Sequence, residues 1–361
     1  MDLDQLETPA AVVDLDIMAA NLARMAAYCR AHGLGWRPHT KTHKSPLVAA
    51  AQLRAGATGL TVATLREAEV MAGLSDDLLL AYPPVGPAKL ARLMRLDPWP
   101  ARLRVALDSI DVLEPLGRAA LVAGREVGVL IELDAGMHRV GVQSPADAVR
   151  LARAVASTGG VRYDGVLFYP GHIRDSVDDQ APALIALSTT LSHFLSALRE
   201  AGLPPRVVSG GSTPSVWRSH EMPGLTEVRA GTTVFSDRTT AAIGVCDWSE
   251  CAYSVLATVV STTVPGQAVI DAGSKALSKE ELRGSGGGFG ALLDDPNVVV
   301  SGLSEEHGLL DLTRSARRPK IGDRVRVVPN HVCVSVNLQE TVWGLERGVV
   351  VTSWPVEGRG R

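Results

Sequence analysis

Between residues 35 and 229 the sequence repeats one pattern, a short apolar strand-like run followed by a helical stretch. The runs are GWRPH (35–39), GLTVA (59–63), LLLAY (78–82), LRVAL (103–107), VGVLIEL (127–133), DGVLFY (164–169), RVVS (206–209) and LTEVR (225–229). The helical stretches have legible starts. Ser45-Pro46 and Ser144-Pro145 each place a capping hydroxyl before a proline at the first helical position, and Thr64 with Glu67 has the spacing of a capping box. Ahead of the first run, residues 17–30 read as a helix capped by Asp16 and closed at Gly33. Eight strands alternating with helices over roughly 200 residues point to a (β/α)8 TIM barrel. An open, doubly wound sheet is the alternative, because closure is not written in the sequence.

After residue 246 the rhythm changes. YSVLATVVST, QAVIDAG, NVVVSGL, RVRVVP, VCVSV and GVVVTSW are β-branched runs separated by turns, with little helical pattern. They predict an all-β domain over 246–361, set against a barrel over 17–245. The early segment AAVVDLD, within 8–16, is expected to join the β domain as a strand. The tract GSGGGFG (284–290) reads as a mobile loop inside it. A chain of 361 residues exceeds the usual single-domain size, which agrees with two domains.

Composition removes several classes of function. A net charge of −3 gives no electrostatic footprint for nucleic acid or an anionic membrane. The N-terminal MDLDQLETPA lacks the apolar run of a signal peptide, and no stretch reads as a spanning helix. Cysteines 29, 246, 251 and 333 are sparse and irregularly spaced, which suits a reducing cytoplasm better than a disulfide framework. The expectation is a cytoplasmic enzyme.

In a barrel, chemistry gathers at the C-terminal ends of the strands. The unusual residues of this chain fall there. RPHTKTHKSP (37–46) follows the first run, DAGMHRVG (134–141) the fifth, Tyr169 ends the sixth, SGGSTP (209–214) follows the seventh and RAGTT (229–233) the eighth. Taken alone, a lysine in such a loop is a solvated surface group, a glycine turn is an ordinary helix cap, and Tyr169 is a barrel-interior tyrosine. His331 and Cys333 lie two apart in a strand-like run. That spacing would put both on one face, where imidazole and thiolate could share a metal. By itself H-x-C is common and usually carries no function.

The motifs TPAAVVDLD, RPHTKTHK, DAGMHRVGV, GGSTP, EVRAGT, DAGSKALS, EEHGLL and PNHVCVSVN, in this order over residues 8–337, resemble the fold-type III pyridoxal-phosphate enzymes related to alanine racemase. Within that group the chain is most similar to the D-serine dehydratase and D-threonine aldolase branch. The resemblance implies that Lys41, in R-P-H-x-K, supplies the amine that binds the cofactor aldehyde; Lys44 is the rival, expected to point to solvent. It implies phosphate binding by Gly211, Ser212 and Thr213 at a helix start, with Gly231 and Thr232 beside them. Arg139 resembles the arginine at the ring phenolate oxygen and Arg229 the one near the pyridine nitrogen. Tyr169 matches the aromatic position packed on the ring. His331 and Cys333 match the metal site of the branch, with zinc or manganese as the ion and positions left open for water and substrate. His307, in EEHG, falls at a position associated with catalysis there and reads equally well as a turn histidine.

Three activities compete. The first is a metal-assisted lyase acting on β-hydroxy-D-amino acids, and the second is a racemase with a tyrosine of the β domain as second base. The third is a non-catalytic pyridoxal-phosphate carrier, which the extra β domain and the H-x-C pair argue against. Tyr253, the one tyrosine after residue 246, lies inside an apolar run, a poor place for a proton donor. Between lyases, a thiolate as second metal ligand resembles the dehydratases, which release a 2-oxo acid and ammonia. The aldolases, which give glycine and an aldehyde, typically have a carboxylate there. The resembled enzymes are homodimers, so a homodimer acting on a small amino-acid substrate is expected, with no nucleic-acid or membrane partner.

Overall fold

The computed structural model describes residues 3–282 and 286–361. Strands are numbered along the chain as β1 Ala10–Asp14, β2 Gly35–Trp36, β3 Leu60–Val62, β4 Asp77–Leu80, β5 Arg102–Leu107, β6 Val127–Leu133, β7 Val161–Phe168, β8 Val207–Gly210 and β9 Glu227–Val228. They continue as β10 Tyr253–Ser261, β11 Gln267–Ile270, β12 Gly290–Leu292, β13 Asp295–Leu303, β14 Gly308–Asp311, β15 Arg324–Pro329, β16 Thr341–Glu346 and β17 Val349–Pro355. The chain divides into two compact units. One comprises Met25–Lys41, Pro46–Gly231 and Glu357–Arg361; the other comprises the residues up to Arg24, Thr42–Ser45 and Thr232–Val356.

In the first unit each of the eight predicted runs contains a strand, and all eight pair in parallel in the order β2-β9-β8-β7-β6-β5-β4-β3. These strands read as continuous apolar runs because both faces are covered. Leu78, Leu79 and Leu80 of β4 and Val129, Leu130 and Ile131 of β6 have almost no exposure. Each such side chain contributes roughly 1.5–3 kcal/mol of burial. Closure rests on the seam between β2 and β3. Thr58 N–H donates to Trp36 O at 2.8 Å, Thr61 N–H donates to Pro38 O at 2.9 Å, and His39 bridges Thr61 in parallel. The open sheet is thereby excluded.

The outer helices start where the sequence marks them. Thr64 Oγ1 accepts from Glu67 N–H at 3.1 Å and Ser144 Oγ accepts from Asp147 N–H at 3.2 Å. The helix Ala181–Glu200 buries Leu184, Leu187, Leu191, Phe194, Leu195 and Leu198, a stripe at helical spacing. By length and composition alone it is apolar enough to cross a membrane, which corrects the expectation that no stretch reaches that length.

The second unit holds a nine-stranded sheet in the order β11-β14-β13-β12-β15-β10-β1-β16-β17. An additional pairing of β11 with β10 closes six of these strands into a ring. The N-terminal strand β1 pairs antiparallel with β10 and parallel with β16. The helix Leu15–Ala31 begins earlier than expected. Asp14, not Asp16, supplies the capping oxygen, accepting from Asp16 and Ile17 N–H at 3.1 Å each.

Two further readings of this unit change. VCVSV is not a strand but the core of a helix, Val332–Leu338. The buried Asp237 carboxylate accepts Val332 N–H at 3.1 Å, satisfying a first-turn donor, and Val332, Ser335 and Val336 face inward at helical spacing. Tertiary contacts override the β-branched composition. Of the expected glycine loop, Gly284 and Ser285 lie outside the described residues, and Gly290 opens β12.

Candidate active site

At the C-terminal rim of the barrel, Lys41 occupies a 3₁₀ turn, Thr40–Thr42, just beyond β2. Its Nζ stands 5.6 Å from the centre of the Tyr169 ring, and the Arg139 guanidinium stands 5.2 Å from the same centre. Tyr169 leaves the end of β7, and a Cβ on Gly171 would come within 2.2 Å of its ring, so only glycine lets that loop fold back. Arg229, at the end of β9, is 6% exposed and donates Nη2–H to Phe168 O at 2.7 Å. Its buried Nε has no hydrogen-bond partner. Burial pushes its pKa down from the ordinary value, against the pull of Glu132 and Glu227. Burial pushes the Glu132 carboxyl up, opposed by Arg229 and Arg139.

Next to Arg229, β8 ends at Gly210 and Gly211 follows it. A Cβ on Gly210 would enter the Phe168 ring at 2.3 Å, and Gly211 sits at φ +88°. Ser212 and Thr213 are buried, with Ser212 Oγ 3.0 Å from Ser215 Oγ. The helical segment anticipated after them is a short 3₁₀ helix, Val216–Glu221, so its dipole is small. Gly231 closes this part of the barrel unit and is buried.

The first loop departs from the sequence reading at Lys44. It was expected to be the solvated lysine, yet it is 9% exposed and adopts φ +50°, while Lys41 is the more exposed of the two. Thr42–Ser45 belong to the β unit.

Within that unit, Cys333 Sγ lies 3.3 Å from Thr42 Oγ1 and 3.7 Å from Thr232 Oγ1, which places Thr232 with the thiol. His331 is the N-cap of the Val332–Leu338 helix, with φ −138° and ψ 105°. The same-face argument from strand geometry therefore does not apply. The cap geometry nevertheless brings imidazole and thiol together. Burial disfavours the imidazolium, but Cys333, Asp237 and Glu280 outweigh it and push His331 up to about 10. His331 Nδ1 is 2.6 Å from Glu280 Oε2, a contact the sequence reading missed. His307 is exposed in the turn between β13 and β14, where its carbonyl accepts from Ser304 N–H; no contact among the described residues joins it to His331 or Cys333. Tyr253 is fully buried, with its hydroxyl 2.9 Å from Ser335 Oγ.

These features fit the groups the sequence implies. At the barrel rim, an unpartnered buried guanidinium nitrogen, two cations on a tyrosine face, and Gly210 with no room for a Cβ beside Gly211 at positive φ fit a planar anionic cofactor with a phosphate arm. In the β unit, the contact of Nδ1 with Glu280 leaves Nε2 of His331 as the donor for a metal, the usual outer arrangement of a ligating histidine. No group of three or more His, Cys, Asp and Glu is gathered for a metal among the described residues.

The alanine racemase N-terminal domain model matches residues 13–239, and a putative serine dehydratase domain model matches residues 252–344. The D-threo-3-hydroxyaspartate dehydratase of Delftia sp. (strain HT23) is 39% identical over 91% of this chain and 92% of its own. The crystal structure of a D-threonine aldolase from Filomicrobium marinum superposes with a TM-score of 0.91 at 32% identity, covering 99% of this chain and 97% of that one. A cysteine-to-alanine mutant of D-threo-3-hydroxyaspartate dehydratase, described as metal-free, gives 0.90 at 35% identity, covering 98% of each chain. The chain belongs to the family that joins an alanine racemase-type barrel to a serine dehydratase domain, and it is a lyase of the pyridoxal-phosphate-dependent class.

Proposed function

We propose that the protein is a dehydratase of β-hydroxy-D-amino acids, of the D-serine or D-3-hydroxyaspartate type, releasing a 2-oxo acid and ammonia. The observation that carries this reading is the thiol of Cys333 beside the imidazole of His331. Sulfur and nitrogen donors suit zinc, with manganese as the alternative ion. When bound, pyridoxal phosphate supplies an electron sink that acidifies the substrate's α-C–H. Lys41 holds it by its amine, Arg139 and Arg229 offer charge to its ring, and Gly211, Ser212, Thr213, Gly231 and Thr232 are assigned to its phosphate. Tyr169 packs on its ring. The Lys41 amine would serve as the base toward the substrate's α-proton. His331 and Cys333 would hold a divalent cation, which when bound would supply Lewis acidity toward the β-hydroxyl. His307 keeps a catalytic assignment on family position alone.

D-Threonine aldolase activity is the second reading, favoured by the closeness of this backbone to that of the Filomicrobium enzyme. Racemisation falls behind both, because Tyr253 is sealed in the core against Ser335. The substrate is a small molecule, and we assign the protein a cytoplasmic location and a homodimeric state.

The test is the product. D-Serine or D-threo-3-hydroxyaspartate should yield ammonia and a 2-oxo acid, the L-enantiomers should be inert, and chelation should stop turnover until zinc or manganese is restored. Glycine and acetaldehyde from D-threonine, with no ammonia from D-serine, would establish the aldolase instead.

A further inference from the structure

We propose that Glu67 and Thr40 are positioning residues that fix the height of Lys41 at the barrel rim. This rests on the reading that Lys41 holds the cofactor. The seam between β2 and β3 climbs the barrel through backbone bonds, and Thr61 Oγ1 adds a bond to Arg37 O at 3.1 Å. Its last backbone bridge is His39–Thr61. Beyond it the chain turns into the segment that carries Lys41, and side chains take over. Thr40 Oγ1–H faces Thr61 O at 3.0 Å and Glu67 Oε2 at 3.1 Å. The same Glu67 oxygen accepts Ala63 N–H at 2.8 Å. Thr40 and Glu67 both have no exposure.

The sequence marks Glu67 for a local task only, the capping box with Thr64. In a capping box the acidic side chain returns to the N–H of the cap residue. Here it goes one residue further back, to Ala63 at the end of the strand, and reaches across the seam to Thr40. A carboxylate without solvent access is costly to keep unless its lone pairs are used, and stability alone would be served as well by an apolar residue of similar volume. What the arrangement provides is a rigid link from the helix Leu65–Met71 to the residue preceding Lys41. A reacting amine held on such a link loses rate steeply with small displacements.

The experiment compares Thr40→Val, Thr40→Ser and Glu67→Gln with wild type, all loaded with pyridoxal phosphate. Borohydride trapping of wild type comes first; an adduct absent from Lys41 would remove the underlying reading and this proposal with it. Given that adduct, Thr40→Val should lower kcat about tenfold with KM within about twofold. It should also shift the pH midpoint of the visible absorbance of the lysine-bound cofactor. Glu67→Gln should move both quantities in the same direction. Thr40→Ser, which keeps the hydroxyl, should return both to near wild type. A Thr40→Val protein with a lowered Tm but an unchanged pH midpoint would make the pair merely structural, as would failure of serine to rescue. Either result overturns the proposal.

Discussion

The two ends of the barrel treat their cations in opposite ways. Toward the base, the guanidinium groups of Arg37, Arg104 and Arg162 each have a carboxylate partner. Arg37 Nε spans both oxygens of Glu227 at 2.9 Å and its Nη1 reaches Asp77 at 2.8 Å. Arg104 continues from Asp77 at 2.7 Å to Asp164 at 3.0 Å, where Arg162 joins at 2.8 Å. At the rim, Lys41, Arg139 and Arg229 have no carboxylate within ion-pair distance among the described residues; two of them rest on the Tyr169 ring. The base is electrostatically complete, so its charges link strands β2, β4, β5, β7 and β9. The rim cations lack direct ion pairs and feel Glu132 only at longer range, which leaves them available to an anion.

The sharpest way to break this contrast is to remove Lys41. Lys41→Ala should abolish turnover and leave no borohydride-stable adduct, with Tm close to wild type because the side chain is exposed. Retained activity, or an adduct on Lys44, would transfer the rim's function to the buried lysine.

At the base the expectation reverses. Arg37→Met strands Glu227 and weakens the hold on Asp77, and breaking a buried pair from one side costs about 3–5 kcal/mol. Urea unfolding should report that loss, while kcat of the folded fraction stays near wild type. A stability change below about 1 kcal/mol would show that the network is dispensable to the fold. Arg139→Gln offers the milder counterpart at the rim. It should weaken pyridoxal-phosphate binding about tenfold, as expected for losing one charge-assisted contact. Its stability should change by no more than about 0.5 kcal/mol, because Arg139 is exposed.

The same contrast explains what could be read from sequence. Runs such as VGVLIEL announce themselves because parallel strands buried on both faces must be apolar throughout. The rim was legible through residue types that chemistry demands at strand ends. The base was not: Arg37, Asp77, Arg104 and Asp164 look like polar strand margins, and nothing in their spacing states that they converge in space. Closure was hidden for a related reason, since it rests on a two-residue strand and three backbone contacts. The strand misread over VCVSV and the burial of Lys44 share another cause. In both places distant packing decides the local conformation, and a window of five or ten residues does not contain it.

The smallest expected effect is a slope in acid. Burial would raise the Asp164 carboxyl, but the Arg162 and Arg104 guanidinium groups more than reverse this and hold it below the ordinary carboxylate value. The unfolded chain has no such pairs, so its aspartate titrates at about 3.9. A folded pKa below the unfolded one means that the unfolded state takes up protons first as pH falls. The contribution of these pairs is therefore complete above the unfolded pKa and drains away as pH drops through the folded one. Wild-type Tm should fall between about pH 5 and pH 3 more steeply than that of Asp164→Asn, which starts lower and lacks this titration. Parallel curves for the two proteins would mean that the base tolerates a protonated Asp164. The distinction between a charge-completed base and a charge-poised rim would then rest on the Arg37–Asp77–Glu227 contacts alone.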